Sequence, residues 1–159
     1  MNVDDARQFC TFRVERLRLG IDVRHVQEVL RYQPMSRVPL APPVVRGLIN
    51  LRGQIVMAID LRDRLELPPR AAERRPINIV VRTADGTVSL LADELCDVAN
   101  VTEDMFELMP DTVSGVTAEV IVGCYKLPDD LLLVLDPERV ADVVAQVEAS
   151  VRTAARSET

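Results

Sequence analysis

The chain has 159 residues, about the size of one domain and long enough to bury roughly two-thirds of its unfolded surface. With 48% hydrophobic and 28% charged residues it is neither disordered nor fibrous, and its longest apolar runs, Ile55 to Ile59 and Leu131 to Leu135, are far too short to span a bilayer. The 19 Lys+Arg against 25 Asp+Glu, a net charge of -6 and only 3% aromatic residues exclude the cationic, stacking surface that a nucleic-acid partner requires.

In chain order, residues 1–7 read as a tail. Phe9 to Val14 alternates like a strand, and Leu17 to Ile21 reads as a second strand joined through Glu15-Arg16, a joint without the Gly, Asn or Asp of a primed turn. Val23, Val26, Val29 and Leu30 then fall at helical spacing, which predicts a helix from Val23 to about Arg31, capped by Asp22, with Glu28 on its polar face. Pro34, Pro39, Pro42 and Pro43 break it into extended loop. Gly47 to Leu51 and Gln54 to Ile59 read as strands around the tight turn Arg52-Gly53, followed by one helical turn from an Asp60 cap. Pro68 to Pro76 reads as a solvated connection whose arginines 70, 74 and 75 are exposed. Ile77 to Arg82 and Thr87 to Ala92 form a hairpin at Asp85-Gly86. Leu95 to Val101 is one further strand, and Val120 to Cys124 and Leu131 to Leu135 bracket a polar turn, giving about nine or ten strands. Asp136-Pro137-Glu138 starts a C-terminal helix with Val140, Val143, Val144, Val147 and Val151 on one face, for packing against the strands or, less simply, for a partner. Residues 153–159 read as a frayed tail.

Reactive chemistry is missing from this inventory. No phosphate-binding glycine loop, nucleophile elbow or zinc-binding histidine pair occurs, and His25 is the sole histidine. Cys10, Cys96 and Cys124 fit neither metal spacing nor a disulfide framework and read as reduced core thiols. Asp93 and Glu94 are adjacent, so a strand would point them to opposite faces, and with Asp97 they read as a solvated edge. The expectation is a chain with no enzyme activity, no cofactor and no metal. The start Met1-Asn2-Val3-Asp4-Asp5 is acidic and lacks the apolar stretch of a secretory leader, which predicts a cytoplasmic location.

Several blocks resemble one family. They are Phe9-Cys10-Thr11-Phe12, Gly20-Ile21-Asp22-Val23 with Val26-Gln27-Glu28-Val29, Arg46-Gly47-Leu48-Ile49-Asn50-Leu51-Arg52-Gly53-Gln54-Ile55-Val56 before Asp60-Leu61-Arg62, and Leu91 to Val98. Together they are similar to the CheW-like coupling domain of bacterial chemotaxis, over about residues 8 to 140, with the G-x-x-N-L-R-G block the most specific. The resemblance implies a mainly β fold over residues 8–152: two intertwined five-stranded SH3-like β-barrel subdomains sharing a core, with short helices and a C-terminal helix. It also implies a non-catalytic adaptor that joins the regulatory domain of a CheA-type histidine autokinase to the cytoplasmic tip of methyl-accepting chemoreceptors, peripheral to membrane arrays. Other CheW-like domains, in rings, are further implied partners; nucleic acid and direct membrane insertion are not. An auxiliary homologue that binds receptors but not the kinase, or that serves a dedicated non-flagellar pathway, is the alternative.

By the same resemblance Val26, Gly47 and Val98 match positions of a receptor-facing groove between the barrels, and Glu28 and Arg52 match a polar pair at that surface. Each apolar member also has a structural reading: Val26 on the core stripe, Gly47 as a backbone requirement, Val98 as a buried strand residue. For the kinase contact the resemblance carries no residue across. Met57, Leu19, Glu15 and Ser89 depart from the family pattern, standing for Pro, an aromatic, a turn Gly and a Gly.

Overall fold

The computed structural model describes residues 6–109 and 115–143, with the side chains of 116 and 117 left aside. Strands β1 (Ala6–Val14) and β2 (Leu17–Asp22) pair antiparallel, with Val14 opposite Leu17. The intervening turn is as short as expected, and Glu15 supplies its left-handed backbone, φ 55°, without glycine. Asp22 caps the next turn, accepting from the Arg24 N–H at 2.9 Å.

That turn is a single 3₁₀ turn, Val23–His25, and the helix predicted over 23–31 does not form. Val26–Leu30 is instead strand β3, antiparallel to β6 (Ile77–Thr83). The cause is a register shift: Val26 faces Val81 and Glu28 faces Val80, so Gln27 is an extra residue. A bulge breaks the two-residue alternation and leaves apolar side chains at 26, 29 and 30, a spacing that imitates a helix. Glu28 therefore lies on a strand.

Strands β4 (Val45–Leu51), β5 (Gln54–Asp60) and β7 (Gly86–Ala92) complete a five-stranded sheet ordered β3-β6-β7-β5-β4. The helical turn α1 (Leu61–Arg64) follows β5, with Asp60 accepting from the Arg62 N–H as expected of its cap. A second sheet runs β10 (Phe106–Leu108), β11 (Ile121–Lys126), β12 (Leu131–Leu135), β2, β1, β8 (Glu94–Leu95), with β9 (Ala99–Thr102) also on β1. The predicted strand over 95–101 is thus two short ones, and each docks on a different part of β1. They extend a five-strand set, β10 to β1, into a seven-stranded sheet. A short helix α2 (Val116–Val120) precedes β11. The C-terminal helix starts where expected: residues 137–143 are helical, Asp136 accepts from the Glu138 N–H, and Val140 is buried. Val144, Val147 and Val151 lie outside the described residues.

The fold is mainly β, as expected. Its two sheets share one core, in which Phe12, Leu19 and Ile21 of the seven-stranded sheet join Ile59, Ile79 and Leu90 of the five-stranded one. A smaller cluster of Ile49, Leu51, Val56 and Val80, with Leu30 and Met35 against it, joins residues of β4, β5 and β6 to Leu30 of the edge strand β3. Ser89 is fully buried and donates to Asn78 Oδ1 at 2.8 Å, so this departure from the family pattern has a polar partner inside the sheet.

Candidate functional site

The hairpin β4–β5 ends in Arg52-Gly53, with Leu51 opposite Gln54. Both turn residues have positive φ, 51° and 87°, which matches the right-handed twist of the flanking strands. Asn50 Oδ1 accepts from the Gly53 N–H at 2.9 Å and holds the loop. Arg52 thereby projects from the tip, 73% exposed, and donates to Glu28 Oε2 on β3. Strands β3 and β4 are the two edges of the sheet, so this ion pair reaches from one edge to the hairpin of the other. The second carboxylate oxygen of Glu28, Oε1, is buried and lacks a hydrogen-bond partner among the described residues.

The other residues proposed from sequence sit around this pair differently. Val26 is half-buried against the shared core, two residues from Glu28 on the same strand. Gly47 lies where a Cβ would meet the Ser36 carbonyl oxygen at 2.6 Å and Met35 Cβ at 3.0 Å, so its backbone requirement is real. Val98 is exposed in the link between β8 and β9, on the other sheet, and is not the buried strand residue it could have been. Among the described residues no hydrogen bond or ion pair joins Val98 to the other four.

A second constellation was invisible to sequence reasoning. Arg70 is not solvated: its side chain is 5% exposed and donates to Asp93 Oδ1 at 2.8 Å and to Asp60 Oδ2 at 3.2 Å. Asp93 is buried too, rather than part of a solvated edge, whereas its neighbour Glu94 is exposed on the opposite face. Arg62 adds bonds to Asp93 at 2.6 and 3.1 Å, and the Glu15 N–H a further one at 2.7 Å. Burial pushes the Asp93 carboxyl up, but hydrogen bonds from Arg62, Glu15 and Arg70 outweigh it and hold it below the usual carboxylate range. A bulge between Val45 and Gly47 turns Arg46 toward Asp60, at 3.1 Å. Asp22 is likewise held well below the usual range: burial opposes ionisation, and Arg24 and Arg7 overcome it.

Neither constellation resembles a reaction centre. The charges are Arg–carboxylate pairs, and among the described residues no group of three His, Cys, Asp or Glu could hold a metal ion. All three cysteines are free, with Cys10 and Cys124 buried and Cys96 half-buried, and burial pushes their thiols up, away from the reactive thiolate. A cleft of about 380 Å³ beside Phe9, Phe106 and Tyr125 has one arginine, Arg7, already committed to Asp22 and Glu103. Among the described residues no helix is long and apolar enough to cross a membrane.

The profile of the CheW-like domain matches residues 8–145. The chain belongs to the CheW-like domain family. It is 31% identical over 140 residues to the chemotaxis protein CheW of Bacillus subtilis, covering 88% of this chain and 90% of that one. It is 28% identical over 137 residues to the chemotaxis protein CheW of Treponema pallidum, covering 84% and 81%. The crystal structure of the scaffolding protein TtCheW from Thermoanaerobacter tengcongensis superposes with a TM-score of 0.78 at 24% identity, covering 86% of this chain and 92% of that one, a likeness of fold. The two-sheet architecture is thus that of a CheW-type scaffold. The Glu28–Arg52 pair falls inside the sequence blocks by which the chain resembled the family.

Proposed function

We propose that this CheW-like chain is a non-catalytic adaptor that couples chemoreceptors to a CheA-type histidine autokinase in cytoplasmic, membrane-peripheral arrays. The observation that carries the reading is the Glu28–Arg52 pair, an exposed arginine held by a carboxylate across the two edges of one sheet. An exposed pair of this kind adds only about 0.2 to 1 kcal/mol to stability, so its position on a hairpin tip calls for another use. Arginine presents a planar fork suited to carboxylates and amides of a partner. We assign Val26, Glu28, Gly47, Arg52 and Val98 to the receptor-facing surface, with Val26 and Val98 as its apolar contacts and Gly47 keeping the backbone of residues 35 and 36 close to β4.

The kinase contact is proposed to be mainly apolar, since exposed Ile55, Leu108 and Leu131 offer burial rather than charge. Co-purification of the full chain with the regulatory domain of CheA and with a receptor tip fragment, both from the same genome, tests the reading. Binding to both, with kinase affinity only mildly dependent on salt, is expected. Binding to neither would overturn it.

A further inference from the structure

We propose that residues 66–76 form a latch that fixes one sheet on the other, with Arg70 as its bolt. This segment has no helix or strand of its own, yet it supplies the least exposed arginine among the ion pairs. Arg70 enters a site already built by the five-stranded sheet: Asp60 at the end of β5, 1% exposed, and Asp93 just past β7, 7% exposed. Two buried carboxylates so placed need cations from somewhere, because an unpaired buried charge costs several kcal/mol. Arg62 and Arg46 supply part of this from within the sheet and α1. Arg70 supplies the rest and, among the described residues, is the one that bonds both carboxylates through its side chain.

The same carboxylate reaches the other sheet. Asp93 Oδ2 accepts from the N–H of Glu15, whose left-handed backbone turns β1 into β2, and the Asp93 N–H donates to Arg13 O at 2.9 Å. Asp93 therefore joins the β1–β2 turn, α1 and the latch. Besides Arg70, the segment is held at its start, where Leu67 packs against the shared core, and near its end, where the Arg75 guanidinium lies 5.0 Å over the Tyr32 ring. Arg62 donates to Pro68 O at 2.9 Å, Leu67 N–H donates to Arg62 O at 2.7 Å, and residues 71–75 are exposed. The exposed stretch is accessible to a partner, whereas its neighbour Arg70 is buried in the hub, so pulling on the segment would withdraw the bolt. Withdrawal leaves Asp93 with fewer donors and loosens the turn of the other sheet. The consequence for a groove shared by Val98 and Arg52 rests on the function proposed above; the latch itself does not.

Hydrogen exchange of the full chain, followed by mass spectrometry in wild type, Arg70→Gln and Arg70→Lys, tests this. In Arg70→Gln the latch predicts exchange faster by about tenfold or more both in residues 66–76 and in the turn around Glu15, with β11 and β12 unchanged. Arg70→Lys, which keeps the charge but not the fork, is expected to show a smaller acceleration at the same two places. Acceleration confined to 66–76 would overturn the latch, as would an equal increase across both sheets. Should Arg70→Gln fail to fold, Arg70→Lys decides by the same criterion. These readouts involve no receptor or kinase, so they stand or fall separately from the adaptor reading.

Discussion

The five-stranded sheet carries two arginine–carboxylate constellations that differ mainly in depth. Glu28–Arg52 lies at the hairpin tip, its arginine 73% exposed, while Asp60, Asp93, Arg62 and Arg70 are nearly closed to solvent. The chemistry is the same, so the contrast isolates burial. In water the attraction is weak and screened, and the pair is free to serve recognition. Inside, each charge depends on its partners, and the set becomes a structural commitment.

The largest effect is expected from cutting the buried set. Asp93→Ala leaves Arg62 and Arg70 short of a carboxylate and the Glu15 N–H without its acceptor, and should cost about 3 to 5 kcal/mol in denaturant unfolding. A loss below about 1 kcal/mol would erase the distinction between the two constellations. Gly47→Val tests sterics in place of charge. Its added carbon meets the Ser36 backbone oxygen, which cannot rotate away, so a loss of about 1 to 3 kcal/mol is expected from the same measurement.

Acid sharpens the contrast further. The carboxyls of Asp93 and Asp22 sit below their usual range in the folded protein, so the unfolded chain takes up protons first as pH falls. Their stabilisation is complete above the unfolded value, about 3.9, and is lost as pH drops through the lower folded values. Unfolding free energy measured from pH 6 downward should therefore decline below about pH 4, and Asp93→Asn should flatten that decline. An unchanged slope in the variant would place the acid sensitivity elsewhere. The smallest stability effect is Arg52→Ala, at most about 1 kcal/mol, a melting shift of a few degrees.

The sequence was informative where the decisive interactions are local. The Asp60 and Asp136 caps and the Arg52-Gly53 turn depend on residues within a few positions of one another, and each stands in the fold; the hairpin expected at Asp85-Gly86 also forms, but its two turn residues are Ala84-Asp85, with Gly86 the first residue of β7 opposite Thr83. The helix expected at 23–31 failed because one bulge residue, Gln27, shifts the phase of a strand, and its cause is the pairing with β6, some 50 residues away. Arg70 read as solvated for a similar reason. Its partners lie 10 and 23 residues on either side in sequence, and nothing in an arginine-rich loop marks one arginine as buried. The family blocks pointed to the two-sheet fold and set Glu28 beside Arg52, but they could not reveal that the carboxylate comes from a strand edge.

The adaptor reading is tested most directly by Arg52→Ala, through the two properties that burial separates. Thermal unfolding and receptor-tip co-purification would be measured on the same preparation, with the kinase regulatory domain as an internal control. The account predicts a melting temperature within a few degrees of wild type, retained kinase binding and lost receptor coupling. A folded variant that still binds the receptor tip and assembles arrays normally would contradict it.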